Sequence, residues 1–334
     1  MTPPVTVRRV PTDRSEQLRA VWRILDAAYR EGRPDAVPEP EHALLARAQS
    51  PSPYAERRWF LAEMGGEPVG AAELAFSLAD NPHLATLALG VLPPVWRRGI
   101  GRALHERLVA ECREAGRRTI LAEVSRPMDA SGTRAVFAEA LGYRVVHTEH
   151  VLRLDVPGAD GPAASTAPSR PDGAYEILGW TDRCPEEFLP AYLAMRNQMN
   201  ADVPLGEIDI DPIVLDEERL RVSEERTSAS WRSFVAAARS RSTGEFAGYS
   251  VLMTPRDDAR AARQDDTLVM PAHRGHGLGG ALKRDTLARL RKEAPECRVV
   301  YTWTDPANTA MYRTNEAFGY RPVEVMHEVE LTGF

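Results

Sequence analysis

Two glycine-rich runs hold the residues best able to do chemistry in this chain. Arg274, Gly275, His276, Gly277, Leu278 and Gly279 follow the apolar stretch Thr267–Pro271, and Trp96, Arg97, Arg98, Gly99, Ile100 and Gly101 follow Ala88–Pro93. Each reads as a short strand, a proline, a loop and then an amphipathic helix. Glycines allow successive backbone N–H groups to turn toward one point. The first turn of a helix adds unpaired N–H groups at the positive end of its dipole. Together they form a nest for a phosphate or diphosphate. Neither run ends in Gly-Lys-Ser/Thr, so neither reads as a Walker A loop, and a dinucleotide fold is also not expected.

The elements that position these loops repeat. The same offset of 178 residues separates Val91 from Val269 and Gly99 from Gly277. A chain of 334 residues suits two domains of about 160. In the first half, alternation and helical spacing predict a strand at 5–10, helices at 15–29 and 40–49, and strands at 59–64 and 69–77 joined by Gly65-Gly66-Glu67-Pro68. A strand at 84–92 then enters the loop. A helix follows, then a strand at 119–125, a helix at 132–141 and a terminal strand pair over 143–156. Residues 157–173 are rich in Pro, Gly, Ala and Ser and read as an exposed linker. The second half restarts with a strand at 175–180, helices at 186–199 and 216–229, and hairpin strands at 232–239 and 246–254. A strand at 266–270 enters the loop, followed by a helix at 278–293, a strand at 299–304, a helix at 308–318 and closing strands over 320–331.

Composition sets further bounds. The hydrophobic fraction of 43% is enough for two cores, and no apolar run approaches the ~20 residues of a membrane span. No charged-then-apolar stretch opens the sequence, and Cys112, Cys184 and Cys297 have no metal-ligand spacing; a reduced, cytoplasmic setting is expected, with no metal and no membrane partner. The net charge of −6 argues against a general nucleic-acid binder. Only Lys283 and Lys292 are lysines, so 40 of the 42 basic residues are arginine, and an arginine pair by itself does not mark a site.

The second loop resembles the diphosphate loop of the GCN5-related N-acetyltransferases, Gln/Arg-x-x-Gly-x-Gly/Ala after a strand ending in Val-x-Pro. Arg274–Gly279 fits every position. The resemblance extends over nearly the whole chain and implies an α+β fold: two tandem domains, each with a mixed, mostly antiparallel sheet flanked by helices. The expected domains are 1–156 and 174–334. It also implies acetyl-CoA, or another acyl-CoA, as co-substrate, held by Arg274, Gly275, His276, Gly277, Leu278, Gly279 and the backbone of Val269. The counterparts in the first loop are Val91, Arg97, Arg98, Gly99, Ile100 and Gly101. There Trp96 stands at the Gln/Arg position. Losing one charged contact costs about 1.5–3 kcal/mol, so weaker binding is expected in that half.

The family's second motif, Asn-x-x-Ala-x-x-Leu-Tyr-x-x-x-Gly-Phe, aligns on Gly319 with Asn308 at its first position, Met311 at the Ala and Asn315 at the tyrosine. Asn308 is assigned to the cofactor. Aligned on Gly142, the first half has Ser131, Arg134 and Ala138 at the same three positions. In the family that tyrosine protonates the leaving sulfur, so both halves depart from the pattern. Asn315 could donate to the sulfur instead, and Tyr312 lies on a neighbouring part of the helix.

An acceptor amine with a pKa near 10 is almost all ammonium at pH 7, so a base matters most. Asp265 and Asp266 sit at the entry of the strand before the second loop. Simple alternation sends them to opposite faces, with Asp265 sharing the face of Val269. The first half has no carboxylate on the matching strand, only Glu73 nearby, which favours the second half as the catalytic one. The expected function is acetyl-CoA-dependent N-acetylation of a small amine or amino sugar. The alternatives are acyl transfer from a carrier-protein thioester and a non-catalytic CoA-binding sensor.

Overall fold

A computed structural model of the protein describes residues 4–37, 39–130, 132–157, 173–202, 206–208 and 210–334. The first half runs β1 (Val5–Val10), α1 (Ser15–Arg30), α2 (Glu41–Gln49), β2 (Ala55–Met64), β3 (Glu67–Ser77), β4 (Leu84–Val91), α3 (Ile100–Glu114), β5 (Thr119–Pro127), α4 (Thr133–Ala140) and β6 (Arg144–Asp155). The second half repeats that order: β7 (Tyr175–Thr181), α5 (Leu189–Asp202), α6 (Glu217–Ser228), β8 (Trp231–Ser240), β9 (Phe246–Pro255), β10 (Ala261–Val269), α7 (Leu278–Glu293), β11 (Val299–Thr304), α8 (Thr309–Phe318) and β12 (Arg321–Thr332). The strand pairs expected over 143–156 and 320–331 are single long strands, because no turn residue interrupts their alternation. The expected linker lies outside the described residues except for its two ends.

Two compact units form: Met1–Thr148 with Leu205–Asp211 and Glu324–Phe334, and Glu149–Pro204 with Pro212–Val323. The closing strand of each therefore comes from the other half of the chain. In the first unit the sheet runs β1-β2-β3-β4-β5-β12, with β5 antiparallel to β12 from Thr119↔Thr332 to Pro127↔Glu324. In the second it runs β7-β8-β9-β10-β11-β6, with β11 antiparallel to β6 from Val299↔Asp155 to Thr304↔His150.

Helical spacing decides which faces are buried. In the first unit, Ile100, Leu104, Leu108 and Cys112 of α3 pack on Phe60, Leu74, Phe76 and Ile120, while Leu18, Val21 and Ile24 of α1 pack on Trp59 and Leu61. Ile208 completes a small cluster with Leu84, Leu121 and Val146. In the second unit, Leu278 and Leu282 of α7 cover Ala236, Ala238 and Ala247, and Leu287 and Leu290 meet Leu152, Leu154, Phe234 and Leu252. Burying each such leucine contributes about 1.5–3 kcal/mol. The opposite face of that sheet buries Trp180, Tyr192, Met195, Val235, Tyr249 and Leu268.

Each sheet has one parallel pair, and that pair opens. β4 and β5 pair only over Leu84–Leu87 against Thr119–Ala122; β10 and β11 pair only over Ala261–Arg263 against Val299–Tyr301. Beyond those residues the two strands part, at the ends that lead into the glycine loops.

Candidate active site

Both loops adopt one backbone form. After β10, a 3₁₀ turn at Pro271–His273 leads to Gly275 (φ 85°) and Gly277 (φ 69°), and α7 starts at Leu278. After β4, a 3₁₀ turn at Pro93–Val95 leads to Arg97 (φ 63°) and Gly99 (φ 82°), and α3 starts at Ile100. Left-handed backbone at alternate positions turns the N–H groups inward, as an anion nest requires. A Cβ built on Gly99, Gly275 or Gly277 meets nothing within 4 Å, so these glycines are needed for their φ and for access, not because of crowding. Leu278 and Ile100, each 1% exposed, anchor the helix starts. The residues at hand thus fit a diphosphate.

The Gln/Arg position does something that its charge does not reveal. Arg274 Nε donates to the carbonyl of Val269 at 3.2 Å, tying the loop back to the end of β10, and its Nη2 lies 3.3 Å from Asp202 Oδ2. Trp96 Nε1 donates to the carbonyl of Val91 at 2.7 Å. An indole N–H therefore closes the first loop as the guanidinium closes the second. The expectation for Trp96 rested on charge alone, and this donor lies outside that count. Phe137 does distinguish the first loop: its ring lies 2.9 Å from where a Cβ of Gly101 would stand. At Gly279 the corresponding neighbours, Thr314 and Val269, are at an ordinary 3.9 Å. His273 Nδ1 is hydrogen-bonded to the Tyr175 hydroxyl at 3.0 Å, and His276 rests 5.6 Å from the same ring.

Asp265 and Asp266 are placed by a bulge. Pairing runs Gln264↔Leu252 and then Thr267↔Ser250, so the two aspartates together oppose Val251. Gln264 Nε2 donates to Ser250 Oγ at 3.0 Å and also to the carbonyl of Val251, holding the bulge from the other face. The extra residue cancels the expected alternation. Both carboxylates act on Arg196 of α5, and β10 starts at Ala261, so they lie mid-strand, just past the point where β10 and β11 part.

Asp266 accepts from the Tyr249 hydroxyl at 2.8 Å and lies 3.5 Å from Arg196 Nε. Arg196 Nη1 donates to the Tyr192 hydroxyl at 3.3 Å. Burial disfavours the Arg196 charge, but Tyr192, Tyr249 and the two aspartates more than offset it, so it stays a cation. Tyr192 is pushed up to about 12 by burial, and Tyr249 is raised by burial and by Asp266. Asp265 is reached by solvent yet closely surrounded by protein. Desolvation, then the Asp266 carboxylate, raise it to about 6, with Arg196 acting in the opposite sense.

The α8 candidates point elsewhere. Asn308 caps the helix, accepting from the Met311 N–H at 3.2 Å. Asn315 is fully buried and donates Nδ2 to Thr304 Oγ1 at 2.9 Å, which leaves it no route to a sulfur in the opening. The Tyr312 hydroxyl is bonded to His150 Nδ1 at 3.0 Å, on the strand that the first half supplies. In the first unit Glu73 is 9% exposed and hydrogen-bonded to Arg47, Arg57 and Trp59. Burial would raise its pKa, but the two arginines outweigh burial and lower it. It is a poor base. Arg134 is spent on the carbonyls of Ala28, Glu31 and Ser125; Ser131 lies outside the described residues. Sequence reasoning missed Arg196, Tyr192 and Tyr249. The pairing of β9 with β10 brings Tyr249 opposite Leu268.

The comparisons agree with this geometry. The acetyltransferase (GNAT) family profile matches residues 18–143 and again 204–320. The chain belongs to the GNAT family, as a tandem member whose fold is that of acyl-CoA-dependent acyltransferases. A tandem GNAT protein from the clavulanic acid biosynthesis pathway superposes with a TM-score of 0.82 at 25% identity, over 98% of each chain. A GCN5-related N-acetyltransferase from Sphaerobacter thermophilus gives 0.67 at 18% identity, over 98% of this chain and 95% of that one. The glucosamine N-acetyltransferase region of a fungal multi-domain beta-N-acetylglucosaminidase gives 0.68 at 16% identity, over 98% of this chain and 38% of that one. No curated protein matches the chain. Among the described residues no cluster of three His, Cys, Asp or Glu could hold a metal, and no helix is long and apolar enough to cross a membrane.

Proposed function

We propose that the second unit transfers an acetyl group from acetyl-CoA to the nitrogen of a small amine, with Asp265 as general base. The observation that carries this reading is the adjacency of two features on one strand: an anion nest at the end of β10 and a solvent-reached carboxylate on its bulge. Gly275, His276, Gly277, Leu278 and Gly279 would hold the diphosphate on backbone N–H groups, with Arg274 bracing the loop. Bound there, acetyl-CoA supplies an activated acyl carbon. Asp265 takes a proton from the acceptor ammonium, and a pKa near 6 leaves it ionised at pH 7 yet basic enough to accept. Asp266 is engaged by the Tyr249 hydroxyl at 2.8 Å and lies 3.5 Å from Arg196 Nε. Asn315 is bonded to Thr304 and Tyr312 to His150, and a thiolate, with a pKa near 8.5, can leave unaided.

A small-molecule acceptor is supported by the tandem neighbour, which belongs to clavulanic acid biosynthesis. The test is thiol release from acetyl-CoA with an amine panel, beside calorimetry of CoA binding to Gly277→Glu. That side chain brings a like charge into the nest at a left-handed φ. Retained binding would remove the loop from the reading. Binding without any thiol release would favour the sensor.

A further inference from the structure

Arg196 has more donors than the fold gives it acceptors. A guanidinium carries five N–H donors in a planar fork. Nη1 donates to the Tyr192 hydroxyl at 3.3 Å, and Nε lies 3.5 Å from Asp266 Oδ2 without forming a hydrogen bond. Nη2 donates to nothing among the described residues. If Arg196 served only to neutralise Asp266, the paired edge of its fork would lie on that carboxylate. Instead Asp266 takes its 2.8 Å hydrogen bond from Tyr249, and the Arg196 side chain, 24% exposed, also feels the Asp265 carboxylate. Tyr192 and Tyr249, whose rings lie 5.9 Å from its Cζ, hold it there. The Asp265 carboxylate is matched to an ammonium, while the spare donors of the Arg196 fork are matched to the two oxygens of a planar anion.

We propose that Arg196 receives a carboxylate of the acceptor, so that the substrate is an amino acid or another small amine bearing a carboxylate, with its amine at Asp265. This rests on the reading of Asp265 as the base. Arg196 is then the residue that sets specificity, and it does not take part in proton transfer.

The experiment compares amino acids with their own carboxamides as matched probes, measuring thiol release from acetyl-CoA by the full chain, its Arg196→Met variant and its Arg196→Lys variant. In the wild type each acid should exceed its amide at least tenfold in kcat/KM. In Arg196→Met that preference should fall to within about twofold, chiefly through KM, with Arg196→Lys between. A purely structural role would lower acid and amide by the same factor, and that result overturns the proposal. So does equal use of acids and amides by the wild type. If acetyl-CoA binds by calorimetry but no probe is acetylated, the carboxylate-bearing class is wrong and the cofactor assignment stands. If acetyl-CoA does not bind, the reading of the second unit fails and this inference with it.

Discussion

Replacing Asp265 with Asn removes the base while keeping the size and bulge of the site. The wild-type carboxyl, raised to about 6, is roughly nine-tenths ionised at pH 7. General-base assistance is worth about 10²–10⁴ in rate, or roughly 2.7–5.5 kcal/mol, so a loss of that size is expected in kcat/KM at pH 7. The variant must wait for acceptor that is already neutral. For an amine of pKa near 10 that fraction rises about tenfold per pH unit up to its pKa, so the deficit should shrink by as much as about a hundredfold between pH 7 and 9. The wild type should instead lose its rate below pH 6, where Asp265 is protonated. Tyr312→Phe and Asn315→Ala should cost less in turnover, because the first residue faces His150 and the second is buried. Rates measured by thiol release under subsaturating acceptor would refute the reasoning if the Asp265→Asn deficit were flat with pH, or if Tyr312→Phe were the worse variant.

Other expectations follow from single contacts. Trp96→Phe should loosen the first loop by about 1 kcal/mol, read as faster hydrogen exchange over 97–101, and Trp96→Arg should restore protection, since both native side chains close their loops with one N–H donor. Lys283 is 2% exposed over the Tyr320 ring, and burial pulls its ammonium down to about 7. The folded chain thus binds fewer protons than the unfolded one between pH 7 and about 10, and the penalty is full below pH 7 and fades as pH rises. Lys283→Met should therefore raise Tm more at pH 6.5 than at pH 9.5. A chain ending at Val323 should lose amide protection in β5 of the first unit, because Glu324–Thr332 pair with that strand; protection lost only in the second unit would contradict the exchange of strands.

The loops were legible because left-handed backbone selects for glycine, and that preference survives in the sequence as spacing. The order of elements in each half was legible from alternation and helical periodicity. Three things were not. Alternation tells which face a strand buries but not which strand lies beside it, so β6 and β12 could be recognised as strands while their exchange stayed invisible. Two polar residues in mid-strand do not reveal a bulge, and the extra residue breaks the alternation on which the expected face of Asp265 rested. The role of Trp96 was hidden because the motif names residue types, whereas the loop uses a donor that an indole shares with a guanidinium. The contacts of the α8 candidates were hidden for a related reason: Asn308 caps the helix and Asn315 donates within the core, ordinary uses of asparagine in those places.

These corrections relocate the difference between the two units. The loops match in backbone and in closure, so we propose that both hold CoA. Besides Phe137 beside Gly101, the strand differs: β4 pairs with β3 from Gly70↔Val91 to Phe76↔Ala85 without a register shift, and it carries no carboxylate. Its one acidic neighbour, Glu73, is bound to two arginines and a tryptophan. With Glu73 held in this way, we propose that the first unit binds CoA without turning it over. Calorimetry with CoA should resolve two binding events, of which Gly99→Glu removes one and Gly277→Glu the other, while only Gly277→Glu also ends thiol release. Equal loss of thiol release in the two variants would place chemistry in both units, and the bulge on β10 would no longer explain which of them acts.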